Sequence, residues 1–529
     1  MKEKEKDSTV FKRETLVGQL VDNTHWDVII IGGGATGLGI ALDSTTRGYK
    51  TLLLEQIDFA KGTSSRSTKL LHGGVRYLAQ GNIDLVKEAL HERGLLLKNA
   101  SHLVSNQSFI IPNYNWWDVL KYTAGLKIYD ALAGKLSFGK SIRINKKETL
   151  TRLETLKNQK LKGGVVYHDG QFDDSRLAVN IAQTAIEYGA TVLNHFKVNQ
   201  LLKNDQGLVN GVMAEDAETK KVYSLNAKVV INATGVFTDE VLKMDNSEAK
   251  DIVRPSQGIH LVLNNSFLPG NDAIMIPKTK DGRVLFLVPW HNKVVVGTTD
   301  TLLDSHSLEP KALDSEVDFI LSTANHYLTK KVSKDDVLSI FAGLRPLAAP
   351  KDKLEKTKEI SRSHKIIVSN SELITITGGK WTTYRRMAQD TINKAILMGK
   401  LSEAPCKTKN LHIHGATTSH DKSHYLYVYG TDQENIQDLI KAYPAWGEII
   451  HERLPFTKAE IIWAIRHEMA RTVEDILARR VRMLFLDAKA TVEIIPMVAN
   501  MLAQELQKDP IWEQNQINEF TKIAKQYVL

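Results

Sequence analysis

One cysteine, Cys406, stands in 529 residues, so no intrachain disulfide framework and no cysteine-rich metal site can form. No metal or redox chemistry can rest on a set of thiols here, and the scarcity fits a reducing compartment. Long apolar runs are also missing. No stretch of about 18 apolar residues occurs, and the longest candidate, Val28 to Leu42, is interrupted by five glycines. A membrane-spanning segment is not expected. The N-terminal MKEKEKDSTVFKRETL is charged and lacks the apolar core of a secretory signal. Charge of one sign is scarce as well: 69 Lys and Arg against 61 Asp and Glu leave +8, which suits an anionic small molecule, an acidic lipid surface or nucleic acid alike. Nucleic acid is not expected, because no zinc finger, RNP-like aromatic strand or concentrated basic arm is present. No calcium-loop pattern occurs, and no metal site is expected. Repeats and low-complexity segments are absent too.

What is present is ordinary globular material, 42% hydrophobic and 25% charged with 33 Gly and 13 Pro. The length exceeds the ~250 to 300 residues at which single cores stop growing, so two or more domains are expected. Residues 1–25 read as a polar lead-in, followed by DVIII, a β-branched run suited to a strand buried on both faces. Gly39 to Thr46 reads as helix, Gly48 as its stop, and TLLLE (Thr51 to Glu55) as a second buried strand. Further strand candidates are KVVIN at 228–232, VLFLV at 284–288, KVVVG at 293–297 and LITIT at 373–377. Helices and strands intermix to about residue 397; beyond Thr408, KAEIIWAIRHEMARTVEDILARRVRMLFLD and ATVEIIPMVANMLAQEL have helical periodicity. The domains expected are a mixed helix-and-strand region at 26–397 and a helical C-terminal domain at 408–529.

Gly32, Gly34 and Gly37 form GxGxxG between the first strand and its helix, with Glu55 closing the next strand 18 residues later. Gly32 permits the tight turn, Gly34 lets backbone approach a pyrophosphate, Gly37 allows close helix packing, and the helix N-terminus supplies donors and positive potential. Glu55 would accept hydrogen bonds from ribose hydroxyls, which disfavours a 2′-phosphate. NAD and FAD both remain open on the motif alone.

From Asp58 the stretch DFAKGTSSRSTKLLHGGVRYLAQGNIDLVKEALHERGLL strongly resembles the FAD-dependent glycerol-3-phosphate dehydrogenases of the membrane-associated respiratory type. The likeness continues through INATGVFTDEV (231–241), RPSQGIHLVL (254–263), VPWHNKVVVGTTD (288–300), FAGLRPL (341–347) and GGKWTTYRRMA (378–388), over about residues 25–500. Trp381 and DILARRVRMLFLDAKA depart from the commoner pattern, the latter towards mitochondrial relatives. The resemblance implies an α/β fold: a Rossmann-like FAD-binding domain (about 26–110, 160–245 and 340–397), an interleaved mixed-sheet substrate domain (about 111–159 and 246–339), and an all-helical C-terminal domain. It implies FAD as cofactor, sn-glycerol 3-phosphate oxidised to dihydroxyacetone phosphate by hydride transfer from C2 to flavin N5, and a membrane quinone as acceptor. It also implies a cytoplasmic protein attached peripherally to the inner face of the cell membrane.

A phosphate dianion calls for converging Arg and Lys, and the family positions fall on Arg76, Arg345, Arg362 and Lys380, with Tyr77 adding a hydroxyl. His260 is the choice for general base, an imidazole able to accept a proton at neutral pH. A strand histidine with satisfied nitrogens is the plain alternative, and His72 is the runner-up, read chiefly as a flavin-loop residue. Arg345 and Lys380 complete the catalytic set. The flavin is expected along Thr63, Ser64, Ser65, Ser67, Leu71, His72 and Gly73, at Gly235, and at Gly379, Lys380, Trp381 and Thr382, where a helix N-terminus would face the pyrimidine edge of the ring.

Residues 113–147 pair Trp116, Trp117, Tyr122 and Tyr129 with Lys121, Lys127, Lys135, Lys140 and Arg143, the composition of an interfacial helix. A helix packed on its own domain is the alternative. The C-terminal helices leave a cap and an oligomer interface, a homodimer included, equally open. A glycerol-3-phosphate oxidase using oxygen, a flavin amine or amino-acid oxidase, and a non-catalytic flavin-binding scaffold are the competing functions.

Overall fold

The computed structural model describes residues 8–529 except 24, 79, 80, 280, 281, 349–363, 419 and 420. The β-branched run becomes the strand His25–Ile31, whose Val28, Ile29 and Ile30 are fully buried because helices cover both faces of its sheet. It pairs in parallel with Thr51–Leu54 on one side and Val222–Asn232 on the other. The path of this eight-stranded sheet runs Lys365–Val368, Ile374–Thr377, Val222–Asn232, His25–Ile31, Thr51–Leu54, Thr191–Leu193. The helix between the first two strands is Ala35–Thr46, followed by Gly48 at φ +98°, the left-handed stop expected of a glycine there.

A ten-stranded sheet lies beside it, built largely from antiparallel pairs. Its longest ladders join Val104–Asn113 to Gly163–Phe172 and Val253–Asn264 to Val337–Ala348. The exchange between sheets differs from the expected boundaries at 110, 160 and 340, because Leu70–Leu71, Val104–Asn113, Gly163–Phe172 and Val337–Ala348 all belong to the second sheet. Strand periodicity shows a buried face but not which sheet receives it.

The C-terminal region is helical apart from one hairpin, Ile449–His451 with Leu454–Thr457. The continuous helical reading of 458–487 breaks into Lys458–His467, a π-helical turn Asp475–Arg480, and Met483–Leu486, with Met469 and Arg482 at positive φ between them. Ala488–Glu505 then runs as one helix with Pro496 inside it.

Residues 113–147 form the helix Trp116–Ala133, capped by the Asn115 side chain accepting from the Asp118 amide, and the strand Ile142–Asn145. Val119, Leu126 and Tyr129 are buried against the domain, whereas Trp117 is 81% exposed and Trp116, Leu120, Ile128 and Ile142 are exposed beside it. Among the described residues no helix is long and apolar enough to cross a membrane.

Candidate active site

Parallel register brings Ile31, Leu54 and Asn232 to one edge of the first sheet, and the chain leaves all three strands there. Gly32, at φ +111°, turns so tightly that a Cβ would sit 2.7 Å from the Ala233 carbonyl oxygen. A Cβ on Gly37 would collide with the Gly32 carbonyl, so the helix can approach the strand end only with glycine at that place. Gly33 matters as well, since its Cβ would lie 2.7 Å from Cβ of Glu55. The Glu55 carboxylate accepts from the Gly33 amide at 2.6 Å and the Ile57 amide at 2.9 Å. Burial pushes its pKa up and these two bonds oppose the rise. A carboxylate offers about four acceptor sites, so room remains for ribose hydroxyls.

The cleft opening from this edge is lined by Gly32, Gly34, Glu55, Thr63, Ser64, His72, Gly235, Arg345, Gly379, Lys380 and Trp381 among the expected residues. Ser64 Oγ accepts from the Ala35 amide at 2.9 Å, at the helix N-terminus, and the Trp381 indole donates to the Ser64 carbonyl at 2.8 Å. Gly378 and Gly379, at φ +76° and +79°, deliver the chain from Ile374–Thr377 into the turn Trp381–Thr383 and the helix Tyr384–Leu397. Glycines whose Cβ atoms would close the turn, a helix N-terminus at the cleft and a carboxylate with spare acceptor sites fit a dinucleotide cofactor.

Seven expected residues are not among those that line the cleft. Gly37 serves helix packing. Ser65, Leu71 and Thr382 are buried, and a Cβ on Gly73 would strike the Tyr129 hydroxyl and Leu90. Ser67 donates to Asp174 Oδ2 at 2.7 Å, so its hydroxyl anchors the loop. The seventh, His260, is 2% exposed. Arg76 and Tyr77 have their backbone in the short helix Val75–Leu78, but their side chains, and all of Arg362, lie outside the described residues.

Sequence reasoning missed Phe196, Lys197 and Val198, which line the cleft beside Glu55. The Phe196 amide donates to the Glu55 carbonyl at 2.8 Å. No motif marks these residues; they arrive because Thr191–Leu193 pairs with Thr51–Leu54. Ala233 and Thr234 carried a signal, lying within INATG, and also face the cleft.

Arg345 and His260 share one face of the second sheet, where Ser256 pairs with Arg345, Gly258 with Gly343 and His260 with Phe341. A Cβ on Gly258 would strike the Arg345 guanidinium, and one on Gly343 would lie 2.8 Å from the Arg66 carbonyl oxygen. The glycine pair therefore lets the guanidinium fold across the sheet and lets the loop after Glu55 pack onto it. Arg345 Nη2 donates to Thr298 Oγ1 at 3.2 Å and to the Thr299 carbonyl at 3.1 Å, and Nη1 lies 3.6 Å from Asp300. His260 stacks on Phe341, with ring centroids 4.8 Å apart, and its Nε2 lies 2.9 Å from Thr68 Oγ1. Among the described residues its buried Nδ1 has no hydrogen-bond partner. Burial first, then the Arg345 and Lys69 charges, hold its pKa well below the ordinary histidine value, so the ring is neutral.

Residues 27–385 match the family model described as FAD dependent oxidoreductase, and residues 369–515 match the C-terminal domain of alpha-glycerophosphate oxidase. The chain is 39% identical to the mitochondrial glycerol-3-phosphate dehydrogenase of Rattus norvegicus, covering 96% of this chain and 74% of that protein. It is 41% identical to the probable mitochondrial glycerol-3-phosphate dehydrogenase of Caenorhabditis elegans, over 93% and 72%. The crystal structure of the Bacillus halodurans glycerol-3-phosphate dehydrogenase complexed with FAD superposes with a TM-score of 0.80 at 29% identity, covering 98% of both chains. Matches to both family models and to these relatives, on a cleft built for a dinucleotide, settle the family: the chain belongs to the FAD-dependent oxidoreductases, among their glycerol-3-phosphate dehydrogenases.

Proposed function

We propose that this protein oxidises sn-glycerol 3-phosphate to dihydroxyacetone phosphate and hands the electrons to a quinone at a membrane surface. The observation that carries the reading is Arg345, pre-oriented by Thr298 and Thr299 and lining, with Lys380, the cleft that begins on Glu55. FAD, when bound, supplies the oxidising chemistry by accepting the C2 hydride. The chain's own work is the rest. Arg345 and Lys380 bind the phosphate dianion, one as a fork and the other as a point charge. His260, neutral and on the same sheet face as Arg345, takes the proton of the C2 hydroxyl. Arg76, Tyr77 and Arg362 are assigned to the substrate on the family likeness alone.

The exposed side of Trp116–Ala133 supports peripheral attachment. Trp117, Leu120 and Ile128 stand out from it, exposed Lys121, Lys127 and Lys140 surround them, and Arg143 lies 4.8 Å over the Trp116 ring. Burying a large apolar side chain is worth about 1.5–3 kcal/mol, and each lysine near an anionic surface about 1 kcal/mol.

Turnover of sn-glycerol 3-phosphate with a soluble quinone analogue, against an air-saturated control without it, tests the acceptor. Quinone-dependent turnover is expected; equal rates with oxygen alone would make the protein an oxidase. Trp117→Ser should lower binding to phosphatidylglycerol vesicles about tenfold, the equivalent of ~1.4 kcal/mol. Unchanged flotation with the vesicles would remove this helix from the interface.

A further inference from the structure

Arg479, Arg480 and Arg482, in the C-terminal DILARRVR, are each at most 2% exposed. The first two sit on the π-helical turn Asp475–Arg480, closed by the Val481 amide donating to the Ile476 carbonyl at 2.9 Å. Such wide turns recur where a side chain must be aimed at a functional element. Here two guanidiniums converge on one carboxylate far away in sequence. Arg479 Nε donates to Asp58 Oδ2 at 2.5 Å, and Arg480 reaches both Asp58 oxygens, at 2.9 and 3.0 Å. Asp58 is fully buried and takes a fourth bond from Asn194 Nδ2 at 2.9 Å.

Asp58 opens the loop that forms one wall of the cofactor cleft. Between Gln56 and Ser67 that loop has three charged side chains, Asp58, Lys61 and Arg66, and all three are held from outside it. Lys61 is ion-paired with Glu474, which Arg479 also binds at 2.6 Å, and with Glu309. Arg66 pairs with Glu309 at 2.8 Å, and the Tyr527 hydroxyl, near the C-terminus, donates to the same carboxylate at 3.1 Å. The uncharged centre of the loop, Gly62, Thr63 and Ser64, lines the cleft. It meets the glycine turn through the Ala60 amide on the Gly33 carbonyl at 2.9 Å and Ser64 Oγ on the Ala35 amide. Buried ionic groups are a poor source of net stability but fix geometry.

We propose that the Asp475–Arg480 turn locks the cofactor loop: through Asp58 and Lys61 the C-terminal domain holds Gly62–Ser64 against Gly33–Ala35 in the conformation that takes FAD. Arg480, Asp58 and Glu474 are then positioning residues for the cofactor, and the C-terminal domain completes the FAD site. The inference rests on the reading of the cleft as the FAD site.

The test is Arg480→Met in the full chain, with FAD affinity read from quenching of flavin fluorescence and local opening from hydrogen–deuterium exchange of peptides spanning 56–67. An apparent Kd equals the intrinsic one divided by the competent fraction. Freeing the loop should therefore raise the Kd on the order of tenfold or more and speed exchange at Gly62–Ser65, while the strands His25–Ile31 and Val222–Asn232 keep wild-type protection. Arg480→Lys, which keeps the charge and loses the fork, should fall between; it carries the test by the same criteria if the methionine variant does not fold. An unchanged Kd, or exchange that rises evenly over the whole chain, overturns the lock. A wild-type protein that binds no FAD overturns the cofactor reading itself.

Discussion

Replacing Arg345 by alanine removes the guanidinium that two contacts of 3.1 and 3.2 Å hold in place on the second sheet. A hydrogen bond to a charged group contributes about 1.5–3 kcal/mol, and a guanidinium fork makes two to a phosphate. Lys380 remains at the cleft and offsets part of the loss, leaving about 3–4 kcal/mol, or roughly 100- to 1000-fold in kcat/KM. The assay compares sn-glycerol 3-phosphate with glycerol, which has the same C2 carbinol and no phosphate. The variant should lose the full factor for the phosphorylated substrate and little for glycerol, so the ratio between the two collapses. Arg345→Lys should recover only part, because a point charge does not reproduce the fork. A kcat/KM within threefold of wild type, or an equal loss for both substrates, would refute the phosphate role.

His260→Ala should slow reduction of the bound flavin by ~100-fold or more while leaving substrate affinity nearly unchanged, as loss of a general base does; stopped-flow absorbance separates the two, and a pure loss of affinity would make His260 a binding residue. His414 gives a pH signature of stability. It is buried between Glu187 at 2.8 Å and Asp432 at 2.7 Å. Burial alone would depress its pKa, but hydrogen bonds to Asp432 and Glu187 outweigh that and raise it to about 9. A raised folded pKa contributes stability that is fully present below the unfolded value of ~6.5 and lost as pH rises through about 9, at most ~3 kcal/mol. Urea melts of wild type and His414→Gln should therefore differ most near pH 6 and converge above pH 9; a gap independent of pH would refute the charge contribution.

The dinucleotide half of the site was legible because its signals are local. Gly32 and Gly37 are forced by turn and packing geometry within six residues of one another, and Glu55 follows at the end of the very next strand. What stayed hidden depends on partners remote in sequence. Phe196–Val198 reach the cleft only through strand pairing, and Ser67 turns to Asp174 rather than to the cleft. The arginines of the C-terminal segment mislead most. Periodicity reads their segment as continuous helix, whereas Arg479 and Arg480 lie on a π-helical turn and are buried against Asp58, more than 400 positions away. Arg482 likewise goes to Asp173 at 2.7 Å. No window on a single segment contains that information, because the pairing that justifies burying the charge is set by the tertiary fold.

The central claim, that one cleft binds FAD and oxidises sn-glycerol 3-phosphate, is tested most directly by an anaerobic absorbance titration of the purified holoprotein with that substrate. The account predicts bleaching of the oxidised flavin band near ~450 nm at one equivalent per site and its return when a quinone analogue is added. A flavin that stays yellow under excess sn-glycerol 3-phosphate, yet bleaches with an amino acid, would contradict it.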